Sequence, residues 1–101
     1  MDKRIDCNKV SELFKALGHP IRMRIVCGLM NGDGCNVNKI VENLQLPQST
    51  VSQHLAVLRN QGIISYRKEG VMTCYSVSHE MVREIMSMIC RDYYTESTQS
   101  E

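Results

Sequence analysis

Gln45-Leu46-Pro47-Gln48-Ser49-Thr50-Val51-Ser52-Gln53-His54-Leu55 joins two apolar periodicities through a very short connection. Behind it, Val37, Ile40, Val41 and Leu44 recur at helical spacing, and Asn36 stands where a cap belongs. Ahead of it, Val51, Leu55 and Leu58 mark the buried side of a helix predicted over 48–60, which Gly62 ends. Two helices linked by Gln45-Leu46-Pro47 form a helix-turn-helix.

Downstream, Ile63-Ile64-Ser65-Tyr66-Arg67 reads as a strand, Lys68-Glu69-Gly70 as a turn, and residues 71–77 as a returning strand with Val71, Thr73, Tyr75 and Val77 on one face. Ser78 is placed to cap a last helix to about Tyr94, with Val82, Ile85, Met86, Ile89 and Tyr93 apolar. Upstream, Val10, Leu13, Phe14 and Leu17 define a first helix closed by Gly18. Pro20 opens a second carrying Ile21, Ile25, Val26, Leu29 and Met30, broken at Asn31-Gly32-Asp33-Gly34. The expected fold is mostly α with one β-hairpin, a winged helix-turn-helix in a single domain over 1–95, followed by a polar tail over 96–101.

The outward side of the 48–60 helix presents Gln48, Ser49, Ser52 and Gln53, flanked by Thr50 and His54. No charge occurs from Asn43 to Leu58, whereas an ordinary solvated helix face carries Lys and Glu. Amides and hydroxyls at a helix N-terminus suit base edges and phosphates in the major groove of double-stranded DNA. Arg59, Arg67 and Lys68 are candidate backbone contacts, the last two at the tip of the hairpin. Their plainer readings are a complement to the helix dipole for Arg59 and a solvated turn for the pair.

Charge follows the same division. Residues 1–46 hold seven Lys/Arg against five Asp/Glu, a balance of +2. Residues 47–77 hold Arg59, Arg67 and Lys68 against Glu69, also +2, and residues 78–101 hold Arg83 and Arg91 against five acidic groups, −3. The 101 residues lack a membrane-length apolar run, a phosphate-cradling glycine loop and a nucleophile elbow, so the expected protein is a cytoplasmic non-enzyme without a cofactor. Five Cys without a C-x-x-C pair suit free thiols better than a secreted disulfide scaffold. A winged helix that binds a partner protein instead of DNA is the alternative of another class.

Leu17-Gly18-His19-Pro20-Ile21-Arg22, Ile25-Val26, the segment 46–55, Leu58-Arg59, Gly62-Ile63-Ile64 and Tyr75-Ser76 together resemble the ArsR/SmtB family of bacterial repressors, and the segment 47–55 resembles its PagR-type branch. The resemblance implies a homodimer paired through the first and last helices, sitting on a pseudo-palindromic operator until a signal releases it. It also locates two metal sites, and neither set of ligands is intact. Asn36-Val37-Asn38 replaces a Cys-Val-Cys triplet, and the positions on the last helix hold His79, Met81, Asp92 and Thr95. Cys27 falls where thiol-sensing members carry one cysteine of a pair. Cys90 lies one turn before the usual place of the second, which Tyr94 occupies. A reactive sulfur species or oxidant acting on Cys27 and Cys90 is therefore favoured over a metal ion, against the plainer reading of both as packing. Cys7 and Cys35 are the candidate members of a non-standard metal or metalloid site, and Cys74, in mid-strand, reads as packing.

Overall fold

A computed structural model describes residues 4–92. The order is α1 (Cys7–Leu17), α2 (Pro20–Asn31), α3 (Val37–Leu44), α4 (Gln48–Asn60), β1 (Ile64–Glu69), β2 (Met72–Val77) and α5 (Glu80–Asp92). β1 and β2 form a two-stranded antiparallel hairpin, the wing, in which Ile64 faces Val77 and Arg67 faces Cys74. Five helices and this hairpin make a winged helix-turn-helix, as the periodicities predict. None of the helices among the described residues is long and apolar enough to cross a membrane.

Helix boundaries follow local chemistry. Asp6 accepts from the Lys9 N–H at 3.2 Å, the His19 ring from Ile21 at 3.1 Å, and Asn36 from Lys39 at 2.9 Å, so each side chain satisfies an orphan first-turn donor. The α3–α4 turn depends on Gln45, which takes φ 57° and donates its N–H to Val41 O at 2.7 Å. Leu46 then packs against the core and Pro47 starts α4. At the other end of α4, Gly62 takes φ 74°, and the Ile63 N–H closes back on Leu58 O at 3.0 Å.

One apolar core joins the elements. Leu13 and Leu17 of α1, Ile25 and Val26 of α2, and Ile40 of α3 meet Val51, Leu55 and Leu58 of α4. Ile63, Ile64, Val77, Val82 and Met86 extend it under the wing and α5. Arg83 ties α5 to the wing by donating to Val77 O at 3.1 Å.

Four expectations need correction. Phe14 does not join the α1 core face, being 49% exposed, because Ala16 takes the buried place beside Leu13 and Leu17. Val71 lies outside the strand and is fully exposed, since the turn extends through it from Gly70 at φ 67°. The wing correspondingly starts one residue later, with β1 at Ile64 running through Glu69, so Lys68 and Glu69 are strand residues. His79, not Ser78, caps α5, its ring accepting from the Val82 N–H at 3.4 Å. The expected helix end at Tyr94, with Tyr93, Thr95 and the tail over 96–101, lies outside the described residues.

Candidate nucleic-acid interface

α4 is clamped from behind, with Val51 and Leu58 wholly buried and Leu55 3% exposed. The pattern turns Gln48, Ser49, Ser52 and Gln53 outward together, all exposed, with Thr50 half-buried at the edge. The N-cap residue Pro47 has no side-chain hydrogen bond to the first turn, in contrast to the capped starts of α1, α2 and α3. The first N–H groups of α4 thus lack a side-chain partner at the positive end of the helix dipole.

His54 is less available than its position on the helix predicts. Its ring is half-buried, 4.6 Å from the ring of His19, and Arg22 Nη1 lies 3.1 Å from its Nδ1. Since a guanidinium only donates, Nδ1 is the acceptor and the proton of the neutral ring sits on Nε2. Burial, then the neighbouring His19 and Arg22, hold the His54 pKa below the ordinary imidazole value. Arg22 also donates through Nε to Ala16 O and through Nη2 to Lys15 O, satisfying carbonyls at the end of α1. One side chain therefore fastens α1, α2 and α4 together. Sequence reasoning missed this role; the one available signal was a cation in a mostly apolar helix start.

The wing cations are not equivalent. Arg67 pairs with Glu69, its Nε donating to Oε2 at 2.6 Å, while Lys68 is exposed without an ion-pair partner among the described residues. Arg59 leans toward the wing, its guanidinium 5.2 Å from the centre of the Tyr66 ring, and Tyr66 in turn lies 5.7 Å from Tyr75 across the strands. The structure thus gathers Gln48, Ser49, Ser52 and Gln53 on one face, places Lys68 on the wing, and engages His54, Arg59 and Arg67 with protein neighbours.

Four of the five cysteines form two pairs. Cys27 of α2 and Cys90 of α5 are half-buried with their sulfurs 3.7 Å apart, so the one-turn displacement of Cys90 does not separate them. Burial first, and the thiol of Cys90 next, push the Cys27 thiol pKa up. Cys27 also lines a cavity of about 240 Å³ between α2 and α3, beside Arg24, Asn31 and Asp33. Cys35 is joined to Cys74 by a disulfide, with Cα atoms 4.8 Å apart. Cys74 is thus no packing filler, and Cys35 partners it rather than Cys7, which is exposed and free, because the α2–α3 loop folds against β2. Among the described residues, no group of three or more His, Cys, Asp or Glu is gathered for a metal ion.

Residues 19–66 match the model of a family described as bacterial regulatory protein, arsR family. The transcriptional repressor PagR of Bacillus anthracis is 37% identical over 79 residues, 78% of this chain and 79% of that protein. The biofilm growth-associated repressor of Xylella fastidiosa is 30% identical over 100 residues, 99% of this chain and 85% of that protein. Among solved structures, reduced HlyU from Vibrio cholerae superposes with a TM-score of 0.82 at 32% identity, covering 89% of this chain and 94% of HlyU. HlyU of that organism is a transcriptional activator.

Proposed function

Because the chain belongs to the arsR family of bacterial regulatory proteins, we propose that it is a homodimeric, operator-binding repressor released by a reactive sulfur species or oxidant at Cys27 and Cys90. The observation that carries the DNA reading is the charge-free, outward face of Gln48, Ser49, Ser52 and Gln53 at the uncapped start of a rigid helix. Gln53 and Gln48 reach base edges, Ser49 and Ser52 reach base or phosphate, and the bare N–H groups at the helix start hold a phosphate. Lys68 adds a wing contact to the backbone. Phe14 on α1 and Met81 and Met88 on α5, 49%, 42% and 51% exposed, supply apolar surface for pairing through the first and last helices.

Release follows from how α2 is attached. One end of α2 holds α4 through Arg22 and His54, and Cys27 lies five residues further along the same helix, against α5. Bridging the sulfurs removes two protons and two electrons in all. An organic polysulfide accepts them and leaves as smaller thiols and persulfides, and the cavity beside Cys27 lets such a molecule approach. Shifting α2 against α5 then disturbs the anchor of the reading helix.

Fluorescence anisotropy on duplex from the protein's own upstream region, with chelator present, tests both parts. Reduced protein is expected to bind, treatment with organic polysulfide to weaken binding, and the Cys27→Ser variant to bind regardless of treatment. Equal binding by treated and untreated protein would sink the thiol reading. No binding even at low salt would favour a partner-protein module.

A further inference from the structure

We propose that Cys35 and Cys74 are a second, separate redox couple that staples the wing to the loop opening α3, so that oxidation tightens the wing's hold on DNA. The proposal rests on the DNA-binding reading above, but on none of the residues assigned to release. Cys35 lies in the loop between α2 and α3, just before the cap residue Asn36, Cys74 lies in the middle of β2, and neither is a partner of the Cys27–Cys90 pair.

Three observations carry it. The Cα atoms, 4.8 Å apart, lie within the usual span of a disulfide. Beside the sulfurs the Tyr75 N–H donates to Cys35 O at 2.8 Å, a backbone bond outside the hairpin ladder. That bond keeps loop and strand docked when the sulfurs are reduced, so the thiols stay in reach and the couple is reversible. Finally, Cys74 faces Arg67 across the hairpin, and Tyr75 packs at a tilt against Tyr66, which meets Arg59 of α4. The staple therefore bears on the wing opposite Arg67, next to the Lys68 position, and where the wing meets α4.

Both cysteines are half-buried, open to a small co-reactant. With a low-molecular-weight disulfide RSSR, one protein thiolate attacks a sulfur and expels RS⁻. The second thiolate then attacks the mixed disulfide and expels the other RS⁻. Two thiols have lost two protons and two electrons, and RSSR has become two RSH. In the reduced state the wing's outer residues, exposed from Ser65 to Met72, are held through the hairpin, its root and the single Tyr75–Cys35 backbone bond. In the oxidised state the cost of ordering them is met before DNA arrives, which favours binding.

The test uses the full chain carrying Cys7→Ser, Cys27→Ser and Cys90→Ser, leaving only Cys35 and Cys74, poised in oxidised or reduced glutathione. Differential alkylation with mass spectrometry, amide exchange over residues 71–76 and operator affinity are read on the same samples. Expected are a Cys35–Cys74 bridge in the oxidised sample, slower exchange there, and binding tighter by roughly three- to tenfold. A Cys35→Ser, Cys74→Ser variant of the otherwise native chain, with polysulfide absent, is expected to exchange and bind like the reduced form. Two free thiols after oxidation, or DNA binding that is intact and indifferent to the bridge, would overturn the proposal and leave the DNA reading standing. Loss of binding in both states, with the bridge and its protection intact, would instead overturn the DNA reading and with it the staple's role.

Discussion

α4 enters the core through Val51, Leu55 and Leu58, none more than 3% exposed, whereas the wing reaches it near its root, through Ile64, Val77 and the half-buried Tyr75, and stands exposed from Ser65 to Met72. The two segments proposed to meet DNA are thus held by different forces. The helix is fixed by burial and by the Arg22 anchor, so its outward amides and hydroxyls keep one register relative to the core. The wing is fixed by a ladder, a tilted pair of tyrosines and a sulfur bridge, all partly open to solvent. A segment held by burial suits sequence reading, and one held by a reversible bond suits adjustment of affinity.

The hardest way to break that contrast is to remove its buried side. Leu58→Ala leaves a cavity behind α4 and is expected to cost about 2–5 kcal/mol. For a domain of this size that lowers Tm by on the order of 10–40 °C by calorimetry. Val71→Ser at the wing tip is expected to stay within about 0.5 kcal/mol. Comparable losses at both sites would mean that the wing is as integral as the helix.

Next in size is the effect on reading. Gln53→Ala is expected to weaken operator binding by about 1–3 kcal/mol, with unrelated duplex bound nearly as before and Tm unchanged. An equal loss on every sequence would move Gln53 from base reading to backbone contact. Smaller again is the wing. Lys68→Gln is expected to lower affinity uniformly and reduce the salt slope by about one, while Glu69→Gln, by freeing Arg67, is expected to raise both. If Glu69→Gln changes neither, Arg67 does not reach DNA even when unpaired.

Legibility from sequence follows the same divide. α4 could be read because its burial repeats at helical spacing, and because sixteen successive residues without charge, 43–58, are conspicuous on an exposed face. The outward set Gln48, Ser49, Ser52 and Gln53 follows from that period alone. The Cys35–Cys74 bridge could not be read, since it joins a loop to a strand 39 residues away and neither periodicity specifies how that loop folds back. The same limit hid Arg22 as an anchor, whereas Glu69 escaped as the partner of Arg67 because 68–70 reads as a turn, and only in a strand do residues 67 and 69 share a face. Phe14 was misread for another reason: an apolar period gives the angle of a side chain about its helix, not whether the same chain covers it.

The smallest effect is a titration confined to the helix side. His54 Nδ1 accepts from Arg22, and a protonated ring would turn a second donor and a like charge toward that guanidinium, with His19 adjacent. Its folded pKa lies below the ordinary value, so the unfolded chain binds this proton more tightly. The stability it contributes is therefore complete above about pH 6.5 and is lost as pH falls through the lower folded value. Tm is expected to be level near neutrality and to decline below that point, and His54→Gln, which keeps an acceptor but cannot titrate, is expected to flatten the decline. Residues 64–77 contain no histidine, so wing amide exchange, corrected for its intrinsic pH dependence, is expected to stay constant across the same range. An undiminished decline in His54→Gln would show that His54 does not carry it. Wing exchange that quickens together with the fall in Tm would show that the helix anchor and the wing open as one unit, and the division between them would have to be given up.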